Sequence, residues 1–173
     1  MAHVKVVRRS MRPEEWTDLR FVWLQRGIYE EKFEITDLEI RDARQISEDQ
    51  YEYYSDEYRP LKKDDMYFTP DGTAFIRGHV QIPAHMKGKN IYFTLHTAAE
   101  MIVKINGKYV GGVDPNRERI LLNPYIDSDD LTIEIEAYNR SKPDDERNPA
   151  SLAHRGCRQI FEGAYLSTIR DNV

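Results

Sequence analysis

Residues 131–138, LTIEIEAY, set Leu131, Ile133, Ile135 and Ala137 at alternate positions with Thr132, Glu134 and Glu136 between them. Successive side chains of a strand point to opposite faces, so a period of two makes one face wholly apolar and the other polar. One side of this strand belongs to a core and the other to water, as in an antiparallel sheet backed by a second layer.

Further apolar stretches of strand length precede and follow it. AFIRGHVQI at 74–82 is closed by Pro83, and after it come NIYFTLHT at 90–97, MIVKI at 101–105, KYVGGV at 108–113 and RILL at 119–122; QIFEGAYLSTI at 159–169 brings a last strand. Short strands at regular spacing with turn residues between them indicate an antiparallel sandwich or barrel. Upstream, KFEITDLEI at 32–40 alternates in the same way and reads as one half-buried strand. SEDQYEYYSDEYR at 47–59 combines five acidic groups with four tyrosines, has no regular apolar period and reads as an exposed loop. RSKPDDERNP at 140–149, charged and bounded by proline, reads as a long loop.

Before the strands lies a different pattern. PEEWTDLRFVWLQRG at 13–27 starts with a proline and two glutamates, ends in glycine, and repeats Trp16, Leu19, Trp23 and Leu24 at helical spacing. The expected organisation is therefore one domain over 1–173, with an amphipathic helical segment in 1–31 and a β-sandwich over 32–173.

At 173 residues the chain is long enough to bury roughly 70% of its unfolded surface. One cysteine, Cys157, excludes an internal disulfide framework and fits a reduced, cytoplasmic setting. No apolar run reaches the roughly eighteen residues of a membrane span, and the basic N-terminus has no apolar segment behind it, so neither a membrane nor secretion is expected. Thirty acidic residues against twenty-five basic ones, with the Lys and Arg scattered, give a nucleic-acid backbone little to attract it.

Catalytic constellations are not legible. The five histidines, His3, His79, His85, His96 and His154, form no helical pair and no HxD or HExxH, and Cys157 has no partner, so no metal site is expected in this chain. There is no GxSxG elbow, and VGGVD at 110–114 lacks the spacing of a phosphate loop and leads to a strand rather than a helix. In KINGKYVGGVDPNRERILL the pair Asn106-Gly107 is the strongest hairpin signal, because both central residues of a type I′ turn need positive φ. Gly111 and Gly112 permit a bend or bulge, and Asp114 or Asn116 can hold the following turn through backbone amides. Asp114, Asn116 and Arg117 also carry groups that bind sugar hydroxyls, and Tyr51, Tyr53, Tyr54 and Tyr58 are candidate stacking rings. Turn architecture and a weak contact site both remain open for the 114–117 segment.

EYRPLKKDD at 57–65, AFIRGHVQIP at 74–83 and the run GKNIYFTLHTAAEMIVKINGKYVGGVDPNRERILL resemble, in order, segments of the N-terminal domain of family 38 glycoside hydrolases, the retaining α-mannosidases. The resemblance covers residues 57–137, and the hairpin and Ile-Pro features are shared with galactose-binding-like jelly rolls of other glycosidases. Arg117 stands where that family often has a histidine, and Asp64-Asp65-Met66-Tyr67 replaces a Gly-Asp-Trp-Gly. The resemblance implies a non-catalytic jelly-roll sandwich, a fragment of a longer multidomain α-mannosidase, packed on the catalytic domain of the same polypeptide and in contact with mannose-containing glycan. It also implies that zinc and the catalytic residues belong to that other domain, with none here; Asp114, Asn116, Arg117 and Tyr58 are the contact candidates. A free-standing carbohydrate-binding module and a protein-interaction domain using Trp16 and Trp23 are the alternatives.

Overall fold

Eleven strands form in the computed structural model, which describes residues 28–65, 72–95, 99–114, 117–138 and 161–170. They are β1 (Tyr29–Glu34), β2 (Leu38–Ser47), β3 (Gln50–Tyr53), β4 (Arg59–Pro60), β5 (Thr73–Gln81), β6 (Ile91–Leu95), β7 (Glu100–Ile105), β8 (Lys108–Val113), β9 (Arg119–Leu121), β10 (Asp130–Tyr138) and β11 (Ala164–Ile169). The strand signalled by LTIEIEAY is β10, and its burial alternates residue by residue over its whole length.

Every strand pairing is antiparallel, and the strands divide between two sheets. One has four strands in the order β1-β11-β6-β9; the other has seven, in the order β3-β2-β5-β10-β7-β8, with β4 also paired to β2. Consecutive strands repeatedly change sheet, as in a jelly roll: β1 and β2, β5 and β6, β6 and β7, β8 and β9, β9 and β10 lie on opposite layers. Phe93 and Leu166 from the first sheet and Ile40, Ile76, Ile135 and Val103 from the second belong to one buried cluster. The chain is thus an antiparallel β-sandwich around a single core, mainly β as expected.

Two expectations are corrected. KFEITDLEI is not one strand: Phe33 belongs to β1 and Leu38 to β2, in different sheets, and the chain crosses the sandwich between them. The apolar positions Phe33 and Ile35, then Leu38 and Ile40, break the period of two by one residue at the crossing. Nor is 47–59 a loop throughout, since β3 and β4 both add to β2 there, while 54–58 between them form no strand and are mostly exposed. The helix expected over 13–27 with Trp16 and Trp23, the loop at 140–149, Cys157 and Asn116 lie outside the described residues.

The hairpin forms as its sequence demands. Asn106 has φ 50° and Gly107 φ 73°. Farther along β8, Met101↔Val113, Ile102↔Gly112 and Val103↔Gly111 pair in one register while Lys104 pairs with Tyr109, so Val110 is an extra residue and β8 bulges. Gly111, at φ +150°, takes the backbone conformation that this bulge requires.

Candidate functional site

Residues paired directly across a sheet share a face. The outward row of the seven-stranded sheet therefore runs Arg41, Phe75, Glu136, Ile102, Gly112, and the next outward row contains Tyr138 and Glu100. At the β3 side this face carries aromatic rings: Tyr51 meets Phe75 edge-on at 4.9 Å between centroids, and Tyr53 meets it at 5.6 Å. Arg41 lies 3.6 Å from the Tyr53 centroid and 4.9 Å from that of Tyr58, and Arg77 lies 4.0 Å from Tyr58. Arg77 is fixed in turn by Glu39, with Nε donating at 2.8 Å and a terminal nitrogen 2.7 Å away. Tyr58 is held by two guanidinium groups, so cations rather than open solvent meet its ring.

Farther across, the face hollows into a groove of about 440 Å³ lined by Glu100, Ile102, Gly112, Asp114, Arg117, Glu136 and Tyr138. At Gly112 the outward row brings no side chain into it. Asp114 and Arg117 close a tight turn on its rim. Their backbones exchange hydrogen bonds of 3.1 and 3.0 Å, Arg117 N donates to Asp114 Oδ1 at 3.1 Å, and Arg117 Nε donates to Oδ2 at 3.0 Å. The aspartate thus does what turn architecture asks and also presents a charged rim. Glu136 forms the opposite wall and accepts a 2.5 Å hydrogen bond from the Tyr51 hydroxyl. That bond, with burial second, pushes the Tyr51 phenol up from 10.0 to about 12.

Of the sequence candidates, the structure places Asp114 and Arg117 together on the groove and Tyr58 apart from them. From β5, where Tyr58 meets Arg77, to β8 is three strand spacings, about 14 Å. Glu136, Glu100 and Tyr138 escaped sequence reasoning. Glu136 and Tyr138 look like the ordinary wet positions of β10, and only the register of β10 against β7 brings the three residues together. Among the described residues, no three of His, Cys, Asp and Glu gather as metal donors. There too, no helix is long and apolar enough to cross a membrane.

The fold and this face define an antiparallel β-sandwich with an aromatic and charged outer sheet. No protein-family model matches the chain, and no curated protein does. Among solved structures it is similar to a calcium-binding mutant of Bacteroides uniformis beta-glucuronidase 2, at 21% identity and TM-score 0.47, over 79% of this chain and 18% of that one. It is similar also to beta-D-glucuronidase of Dictyoglomus thermophilum, at 16% identity and TM-score 0.45, over 82% of this chain and 29% of that one. The chain therefore spans less than a third of either protein.

Proposed function

We propose that this chain is a non-catalytic accessory sandwich of a glycoside hydrolase, the N-terminal domain of a zinc-dependent α-mannosidase of family 38. It packs on the catalytic domain of the same polypeptide and contacts mannose-containing glycan. The observation that carries this reading is the outer face of the seven-stranded sheet, where Tyr51, Tyr53 and Phe75 cluster and Ile102 and Tyr138 continue the apolar character across to β7. Ile102 is 52% exposed and Tyr138 39% exposed, on a sheet face where charged residues are the usual choice. Aromatic and arginine side chains are the types enriched where one surface docks on another, since they give large contact area with few rotors to freeze. The segments that resemble family 38 domains, residues 57–137, include β4, β5, β7, β8 and all but the last residue of β10, which build most of this sheet. Zinc and the catalytic carboxylates belong, in this reading, to the catalytic domain, and the setting is cytoplasmic.

The test is the coding sequence beyond Val173. A helical linker followed by barrel sequence containing an HxD motif is expected, and a stop codon there overturns the reading. The groove beside the aromatic cluster favours a second reading, a free-standing carbohydrate-binding module. A stop codon together with saccharide binding by the isolated chain selects that one.

A further inference from the structure

Resting on the proposed contact with glycan for its class of ligand, we propose that the groove across β10, β7 and β8 is a binding site for a neutral saccharide. At about 440 Å³ it has the size of a small-ligand cleft, roughly 300–1,000 Å³. Three independent features shape it for a polyhydroxylated ring. The first is the absent side chain at Gly112: a Cβ there comes within 3.3 Å of the Met101 carbonyl oxygen, tighter than ordinary packing, and meets no other atom within 4 Å, so its absence of bulk leaves the hollow open. The second is Tyr138, 39% exposed on the groove wall, an apolar ring face of the kind on which a sugar's C–H groups stack.

The third is a divided set of hydrogen-bonding groups. Arg117 is 82% exposed, and its Nε is used on Asp114, which leaves the two terminal nitrogens as donors for hydroxyl oxygens. Glu136 is held by Tyr51 through one oxygen and keeps the other as an acceptor, and Glu100 lines the same groove as a second acceptor. Most of these groups stand on paired strands, so little order has to be imposed when a ligand arrives. Charge then decides the class of sugar. Three carboxylates, Glu100, Asp114 and Glu136, against one guanidinium repel a uronate and leave a neutral sugar unopposed.

The experiment is an amide ¹H–¹⁵N titration of the 173-residue chain with α-mannobiose and, separately, with glucuronate. Mannobiose, at concentrations above a Kd on the order of 1 mM, is expected to shift the amides of Ile102, Gly112, Asp114 and Arg117, with glucuronate at least about tenfold weaker. Gly112→Val fills the hollow without removing any hydrogen-bonding group and should weaken mannobiose at least about tenfold while the spectrum stays dispersed. Arg117→Ala should weaken it severalfold. A silent titration overturns the site, as do shifts confined to a second cleft, lined by Phe33, Asp37, His79 and Lys87, or glucuronate binding as tightly as mannobiose. A silent groove with an HxD-bearing barrel downstream removes this inference and leaves the domain reading standing; a binding groove followed by a stop codon does the reverse.

Discussion

The Tyr51 hydroxyl donates to Glu136 across 2.5 Å, joining residues 85 apart in sequence and tying β3, at an edge of the seven-stranded sheet, to β10. β2 and β5 lie between them, and the Tyr51 ring bridges them by resting edge-on against Phe75 of β5.

Tyr51→Phe keeps that ring contact and deletes only the hydrogen bond. The bond is charge-assisted but solvent-screened, so the expected cost at pH 7 is about 1 kcal/mol, read as a lower urea midpoint with an unchanged slope. Only the neutral phenol donates, and folding raises its pKa from 10.0 to about 12. The wild-type advantage is therefore fully present below pH 10 and is lost as pH rises toward 12. Urea midpoints of the two proteins should converge across that window, and a difference that stays constant would show that the bond to Glu136 is not its source.

How far such features were legible depended on how local they are. The alternation of β10, the Asn106-Gly107 turn and the glycine-permitted bulge of β8 are each set within a few residues, and all were visible in the sequence. The crossing between Ile35 and Leu38 left a trace too, one slip in the period of two. SEDQYEYYSDEYR offered no comparable trace, because its tyrosines find their partners in Phe75 of β5 and Glu136 of β10. Asp114 and Arg117 were legible as a turn, but that they face Glu136 and Tyr138 follows from strand register alone.

Gly78→Ala should be the most damaging of the glycine substitutions in ordered strands. A Cβ at Gly78 meets the Asp37 carbonyl oxygen and the Leu38 Cδ2 at 2.4 Å, where β5 runs close beside the start of β2. One of the two obstacles is backbone, so strands must separate, and a loss of roughly 2 kcal/mol or more is expected. Gly112→Ala, with one contact at 3.3 Å, should cost less than about 1 kcal/mol. Thermal unfolding of the two variants side by side checks the order.

Thr94 and Ser167 face outward from the four-stranded sheet yet are fully buried, their hydroxyls 2.8 Å apart. Removing either alone, as Thr94→Val or Ser167→Ala, orphans its partner and should cost about 1–3 kcal/mol; removing both should cost less than the sum. A double-mutant cycle by urea denaturation measures the coupling, and strict additivity would refute the pairing. Thr168, whose Oγ1 is buried and has no hydrogen-bond partner among the described residues, provides the contrast: Thr168→Val should be neutral or stabilising.

Asn106 separates two roles that its place in the turn combines. Its φ of 50° is a conformation that asparagine tolerates and alanine resists, and its side chain also reaches β10. Oδ1 accepts from Thr132 N at 2.8 Å and from Thr132 Oγ1 at 3.2 Å. Asn106→Gly keeps the backbone conformation and loses the bonds, so its cost of about 1 kcal/mol reports the side chain. Asn106→Ala loses both and should cost about 1 kcal/mol more. Gly107→Ala strains only the backbone, since no atom lies within 4 Å of the added methyl, and should cost about 1 kcal/mol with every Thr132 bond intact. Amide exchange at Thr132 distinguishes them: it should quicken in both Asn106 variants beyond the global loss of stability, and follow only that global loss in Gly107→Ala. Equal, purely global effects in all three would mean that the Asn106–Thr132 contact adds nothing to the turn.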